Sequence, residues 1–277
     1  MMRSMPSPAL ASPSNPRIKS VARLRDRRER DASGLTLVDG AREVRRALEA
    51  GVEVVEAFVC EPLLPGEDAR VALDLLADRQ VPVTTTTESA FAKIAFGDRA
   101  EGLLVVVRAP SLRLDDLSLP GDPLLVVVEG VEKPGNLGAI LRSADGAGAD
   151  AVIAASPRTD LANPNVIRAS AGTYFAVPRA AATTDDVIAW LRERRVRVVA
   201  ARVGAERAYG EADLTGPLAI VLGSEAKGLT DAWQAEDVET VRLPMHGIAD
   251  SLNVSVAAAV LLYEARRQRD RHRDQPD

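Results

Sequence analysis

Three short segments place polar side chains where the surrounding pattern is apolar: Asn136 to Arg142 (NLGAILR), Leu222 to Gly228 (LGSEAKG) and Ser251 to Ala258 (SLNVSVAA). Between them they offer Asn136, Arg142, Glu225, Ser251 and Asn253: two amides, a guanidinium, a carboxylate and a hydroxyl. In the first segment Gly135 and Gly138 permit close backbone approach where a helix begins, a place that attracts anions, and Arg142 follows about two turns in. The third follows Leu243-Pro244-Met245 and opens an apolar helix with Ser251 and Asn253 at its start.

Each segment also has a purely structural reading. Residues 133–136 make a turn and cap, Ser224 or Glu225 caps a following helix, and Asp250 or Ser251 is a good N-cap. Capping leaves Asn253 unexplained, because it is expected inside the first turn of a helix otherwise built from Val and Ala. Two enzyme motifs are excluded. The glycines near Asn136 lack the dinucleotide-binding spacing G-x-G-x-x-G, and Gly223-Ser224 lacks the spaced glycines of a hydrolase nucleophile elbow. Taken jointly, the three segments sit at or just beyond the C-terminal ends of expected strands, where open α/β sheets bind ligands.

These side chains need a sheet to hold them. From Leu124 the apolar runs LLVVV, AVIAA, RVVAA, LAIVL and TVRL are mostly separated by helical segments, as expected of parallel strands covered on both faces. A helix from Ser251 to about Arg271 closes this domain, which covers 124–277 and is expected to fold alone. Earlier, LTLV, Ala41 to Ala50, VVEAFVC, Arg70 to Arg79, VPV and Leu103 to Val107 read as a smaller α/β domain over 17–109. Pro110 to Pro123 breaks the pattern with three prolines and two adjacent aspartates, so it is the expected linker, and Met1 to Pro16 reads as a disordered leader.

At 277 residues the chain can bury two cores of ordinary size. The single cysteine, Cys60, excludes a disulfide framework within the chain and suits a reducing cytoplasm. The apolar run Val254 to Tyr263 falls short of the roughly 20 residues of a membrane span, so a soluble protein with no membrane association is expected. A net charge of −5 conceals an asymmetry: residues 1–46 carry a balance of +6, residues 47–132 one of −10 and residues 133–277 one of −1. In RIKSVARLRDRRER, Ile18, Val21 and Leu24 lie at helical spacing with arginines around them, which is either a solvated surface helix or one that contacts RNA. Arg23, Arg25, Arg27, Arg28 and Arg30 would supply the phosphate contacts.

The three segments, in this order, resemble the motif set of the SpoU/TrmH branch of the SPOUT RNA ribose methyltransferases, over about Leu124 to Arg267. PMHGIADSLNVSVAAAVLLYEA is the most specific part. The stretch VARLRDRRER followed by LTLVDGAREVRRALEAGVEVVEAFV resembles that family's ribosomal-protein-like substrate-binding domain. The resemblance implies a small N-terminal α/β RNA-binding domain and a C-terminal SPOUT α/β domain with a parallel sheet. It also implies a trefoil knot, which ordinary topology rules treat as a rare exception. The implied cofactor is S-adenosylmethionine, bound in a bent shape by Ala201, Gly223, Leu243, Met245 and Leu252. The implied assembly is a homodimer without a metal.

The implied reaction is methyl transfer to a ribose 2′-hydroxyl, with Arg142 as the catalytic arginine. A guanidinium keeps its proton up to a pKa above about 12, so Arg142 is expected to hold a neighbouring phosphate and stabilise a developing alkoxide. Asn136, Glu225, Ser251 and Asn253 would orient that arginine and the ribose. Arg168, in IRASAGTYF, matches a family arginine that contacts RNA and also reads as an ordinary helix-surface charge. The added N-terminal domain favours ribosomal over transfer RNA as the partner, including the case of an antibiotic-resistance methylase acting on large-subunit RNA. The alternatives are a tRNA 2′-O-methyltransferase, an RNA-binding protein without catalysis and, disfavoured by the missing fingerprint, an oxidoreductase.

Overall fold

The computed structural model describes residues 10–64, 66–96 and 100–273. The chain forms two compact units that interleave in sequence: Met1–Pro110 with Ala162–Ala176, and Ser111–Leu161 with Val177–Asp277.

The first unit begins with α1 (Pro16–Arg23) and α2 (Arg27–Ser33). One helix is expected over this stretch, but Asp26 accepts from Arg28 N–H at 3.0 Å and starts a second helix, which Gly34 ends at φ 67°. Ile18, Val21 and Leu24 are buried against Phe58, Phe91, Ile94 and Leu104, so this is the inner face of a core helix. Arg30, 4 % exposed, donates to the carbonyls of Leu24 (2.9 Å) and Arg25 (2.7 Å), closing the end of α1. It is a structural residue, and the expectation that it meets phosphate is corrected.

After these helices come β1 (Leu35–Asp39), α3 (Ala41–Glu49), β2 (Val54–Val59), α4 (Gly66–Asp78), β3 (Val83–Thr85), α5 (Glu88–Ile94) and β4 (Leu103–Arg108). The sheet order is β1-β4-β2-β3, with β4 antiparallel to β1 and β2, and β2 parallel to β3. Leu10 N–H donates to Thr85 at 2.8 Å and its carbonyl accepts from Thr87, so residues 10–16 do not form a free leader. Met1 to Ala9 lie outside the described residues.

A later segment completes this unit: α7 (Pro164–Ala169) packs on β1, with Val166 and Ile167 buried, and Tyr174 is buried in the turn that follows. Thr36 Oγ1 donates to Ala162 O and Arg46 to Ala171 O, both at 2.6 Å.

The second unit contains β5 (Leu124–Glu129), α6 (Pro134–Ala147), β6 (Ala151–Ala155), β7 (Arg179–Ala182), α8 (Thr184–Glu193), β8 (Arg197–Ala201), β9 (Leu218–Leu222), β10 (Val238–Val241) and α9 (Val254–Arg273). All six strands are parallel, in the order β10-β8-β9-β5-β6-β7. Every residue of the central strands β5 and β9 is buried, which is why their sequences are continuous aliphatic runs. The stretch expected as a linker is part of this unit: Leu114, Leu117 and Leu119 pack against its core, and Ala181 N–H donates to Leu112 O at 2.8 Å.

Arginines anchor α9. Arg269, 5 % exposed, donates to the carbonyls of Asp122, Pro123 and Gly216, and Arg266 donates to those of Ala147 and Gly148 at the end of α6. Among the described residues no helix is long and apolar enough to cross a membrane.

Candidate active site

The C-terminal ends of β8, β9 and β10 open into a cavity of about 400 Å³. Ala201, Gly223, Leu243, Met245 and Leu252, the five residues expected to hold a cofactor, all line it. So do Glu225 and Ser251. Sequence reasoning missed Arg202, Arg242 and Asp250 in the same wall; their only signal is that they directly follow a strand or precede the third segment.

Gly223 is required by close approach, since a Cβ there would lie 2.1 Å from the Gly228 carbonyl carbon. Gly228 itself sits at φ 65°, in the left-handed region, and donates its N–H to Ser224 O at 2.9 Å. Residues 223–228 therefore form a closed turn, and the expectation that Ser224 or Glu225 caps a helix is replaced. Glu225 stands in this turn and accepts from Asn136 Nδ2 at the first turn of α6.

Asn253 completes the chain of contacts by donating from Nδ2 to Asn136 Oδ1 at 3.2 Å. The closing helix begins at Val254, not Ser251, and Asn253 is its cap: Oδ1 accepts from Ser255 N–H at 2.9 Å. One face of the amide caps while the other reaches Asn136, so capping does explain its position in part. Three of the five polar candidates thus form one hydrogen-bonded line, Asn253 to Asn136 to Glu225. Arg142 lies further along α6, exposed and without a hydrogen-bonding or ionic partner among the described residues. Arg142 is not in the cavity wall; it shares α6 with Asn136, and an uncommitted guanidinium on the helix that carries a fixed amide can bind an anionic, hydroxyl-bearing substrate.

The first unit holds the arginines expected to meet RNA. Arg23 and Arg28 are exposed and unpartnered among the described residues, whereas Arg27 pairs with Asp31 at 3.4 Å. Arg25 donates to Ala95 O and lies 4.8 Å from the centre of the Phe96 ring. Arg168 is no ordinary surface charge. Its guanidinium donates to Asp39 at 2.8 Å and to Phe96 O at 2.6 Å. Burial pushes the Asp39 carboxyl up to about 6, against the Phe96 N–H and Arg168, which hold it down, and with Glu101 and Glu43 adding to the rise.

Comparison with known proteins places the chain in a family. Residues 123–263 match the SpoU rRNA Methylase family and residues 15–105 match the MRM3-like substrate binding domain. The chain belongs to the SpoU rRNA methylase family. It is 41 % identical over 181 residues to the 23S rRNA (guanosine-2′-O-)-methyltransferase RlmB of Ralstonia nicotianae, spanning 64 % of this chain and 73 % of that one. It is 31 % identical over 260 residues to the 23S rRNA (uridine(2479)-2′-O)-methyltransferase of Streptomyces viridochromogenes, spanning 90 % and 88 %. The crystal structure of AdoMet-bound rRNA methyltransferase from Sinorhizobium meliloti aligns with a TM-score of 0.84 at 29 % identity, covering 94 % of this chain and 97 % of that one.

Proposed function

We propose that this protein transfers a methyl group from S-adenosylmethionine to a ribose 2′-hydroxyl of large-subunit ribosomal RNA. The observation that carries the reading is the Asn253–Asn136–Glu225 line, which reaches the cavity wall at Glu225 and whose middle member stands on α6, the helix that also presents Arg142. The two relatives named above are 23S rRNA 2′-O-methyltransferases, which favours ribosomal over transfer RNA.

The cavity fits the cofactor. Leu222, Leu243, Met245 and Leu252 give an apolar wall for adenine, and Arg202, Arg242 and Asp250 add charge for a zwitterionic tail, in a volume usual for small-ligand sites. Ala201, Gly223, Leu243, Met245 and Leu252 are the residues proposed to hold it. When bound, the cofactor supplies a methyl group activated by its sulfonium.

The protein's part is positioning and charge. Arg142 holds a phosphate next to the reacting ribose and stabilises the oxygen as its proton leaves to solvent or phosphate. Asn136, fixed by Asn253 and Glu225, and Ser251 in the wall orient the ribose. Arg23 and Arg28, with Arg27 if its ion pair opens, are the proposed phosphate contacts of the first unit; Arg25 and Arg168 are committed to internal carbonyls and Asp39.

The protein acts in the cytoplasm, where ribosomal RNA is modified, and does so as a homodimer through α9, which leaves Val256 and Tyr263 exposed. The trefoil knot involves residues 242–253, which lead from edge strand β10 back to α9 against α6 and β9. Incubating the protein with methyl-labelled S-adenosylmethionine and unmodified 23S rRNA, then mapping 2′-O-methyl marks, tests the activity; label on a base or on no RNA at all refutes it.

A further inference from the structure

We propose that Glu129 is a positioning residue that, through Thr230, sets the place of the turn bearing Glu225. The proposal rests on the reading of Glu225 given above. Glu129 is the last residue of β5 and 4 % exposed. One carboxylate oxygen accepts Thr230 N–H at 2.8 Å; the other accepts the hydroxyls of Thr230 at 2.9 Å and Thr184 at 2.8 Å. Thr230 O in turn accepts from Arg202 at 2.6 Å, and Arg202 lines the cavity. Every polar group of Thr230 is thus held by a charged side chain, two residues beyond the glycine that closes the Glu225 turn.

The same carboxylate stands at the root of the connection into α6, which carries Asn136. Glu129 therefore ties the base of the connection into α6 to the segment that follows the Glu225 turn, and the first turn of α6 meets that turn in the Asn136–Glu225 hydrogen bond. The five residues before it are aliphatic and buried, and a sixth would complete the strand without the desolvation cost of a carboxylate. A glutamine at this position fits sterically but turns an NH₂ toward one of the donors, either Thr230 N–H or a hydroxyl, so the turn loses its seat.

The test uses the full chain and three measurements: S-adenosylhomocysteine affinity by calorimetry, single-turnover methyl transfer at saturating cofactor and RNA, and the thermal midpoint. Glu129→Gln is expected to weaken S-adenosylhomocysteine binding about tenfold and slow transfer by about tenfold or more, with RNA affinity unchanged. Thr230→Val, which removes one donor and keeps the shape, gives the same pattern at smaller size and carries the test where Glu129→Gln does not fold. Thr184→Val removes a donor outside the turn; it lowers the thermal midpoint while affinity and rate stay at wild type.

The anchor is overturned if Glu129→Gln, or Thr230→Val in its stead, binds and turns over like wild type while Glu225→Gln is slow. It is equally overturned if Thr184→Val matches Glu129→Gln in affinity and rate, since the effect is then general stability. A wild-type rate in Glu225→Gln refutes instead the reading of the site beneath it.

Discussion

Arg142 is an exposed guanidinium without a hydrogen-bonding or ionic partner among the described residues, on the helix whose first turn carries Asn136. Replacing it with alanine removes no internal contact, so S-adenosylhomocysteine binding and the thermal midpoint should stay at wild type while single-turnover methyl transfer falls by about 100-fold or more. A near-normal rate at saturating RNA would remove Arg142 from the mechanism. Asp39 gives a second test at this scale. Its carboxyl titrates at about 6 in the folded protein against an ordinary 3.8, so the folded state binds the proton more tightly. That stabilisation is complete below about 4 and disappears as pH rises through about 6. Between pH 7.5 and pH 5 the thermal midpoint of wild type should therefore rise relative to Asp39→Asn, whose own curve lacks this component; parallel curves would show that Arg168 keeps Asp39 ionised. Sequence reasoning singled out Arg142, Gly223, Leu243, Met245 and Leu252 because they belong to recognisable segments, and the last four line the cavity. It found neither Asp39 nor Glu129, because a single acid ending an aliphatic run looks like any strand terminus until its three-dimensional donors are known.

The α1–α2 corner shows how an element divides its charges. Helical spacing correctly marks Ile18, Val21 and Leu24 as an inner face, yet five arginines that look alike in sequence have four different fates. Of these five, only Arg23 and Arg28 remain uncommitted among the described residues, so Arg23→Gln with Arg28→Gln should weaken RNA binding and reduce the slope of log affinity against log salt by about 1.5. Arg30→Gln should instead lower the thermal midpoint with the slope intact. An unchanged slope in the double variant would mean that this face is merely solvated. Strands rich in Val, Leu and Ile were readable from composition, whereas β7 was not: RAAA has no β-branched or aromatic residue, and it becomes a strand only because β6 and the Leu112 carbonyl offer it partners. A trefoil knot would leave no periodicity to read, and only the likeness of whole segments implies one.

At the scale of the molecule, the break seen in sequence near residue 110 is where the first unit's leading stretch ends, but the chain crosses between the units again further on. Prolines and aspartates suggest a linker, but Leu114, Leu117 and Leu119 belong to the second core, while Ala162–Ala176 leaves the second unit's sequence to complete the first. Periodicity could not show this, because a buried helix face reads the same whichever core it enters. The consequence is a prediction opposite to the one a simple two-domain chain would give. Deleting residues 1–109 strips β1 and its neighbours from α7, leaving Val166, Ile167 and Tyr174 without the packing that buries them. Each such side chain returned to water costs about 1.5 to 3 kcal/mol, and an exposed apolar cluster of this kind promotes association. The truncated chain should therefore be poorly soluble or bind a hydrophobic dye, and deleting 162–176 as well, with a short Gly-Ser bridge between Leu161 and Val177, should restore solubility and S-adenosylhomocysteine binding. Sedimentation and calorimetry on the two truncations decide the matter: a monodisperse, cofactor-binding 110–277 fragment would show that α7 needs no partner from the first unit.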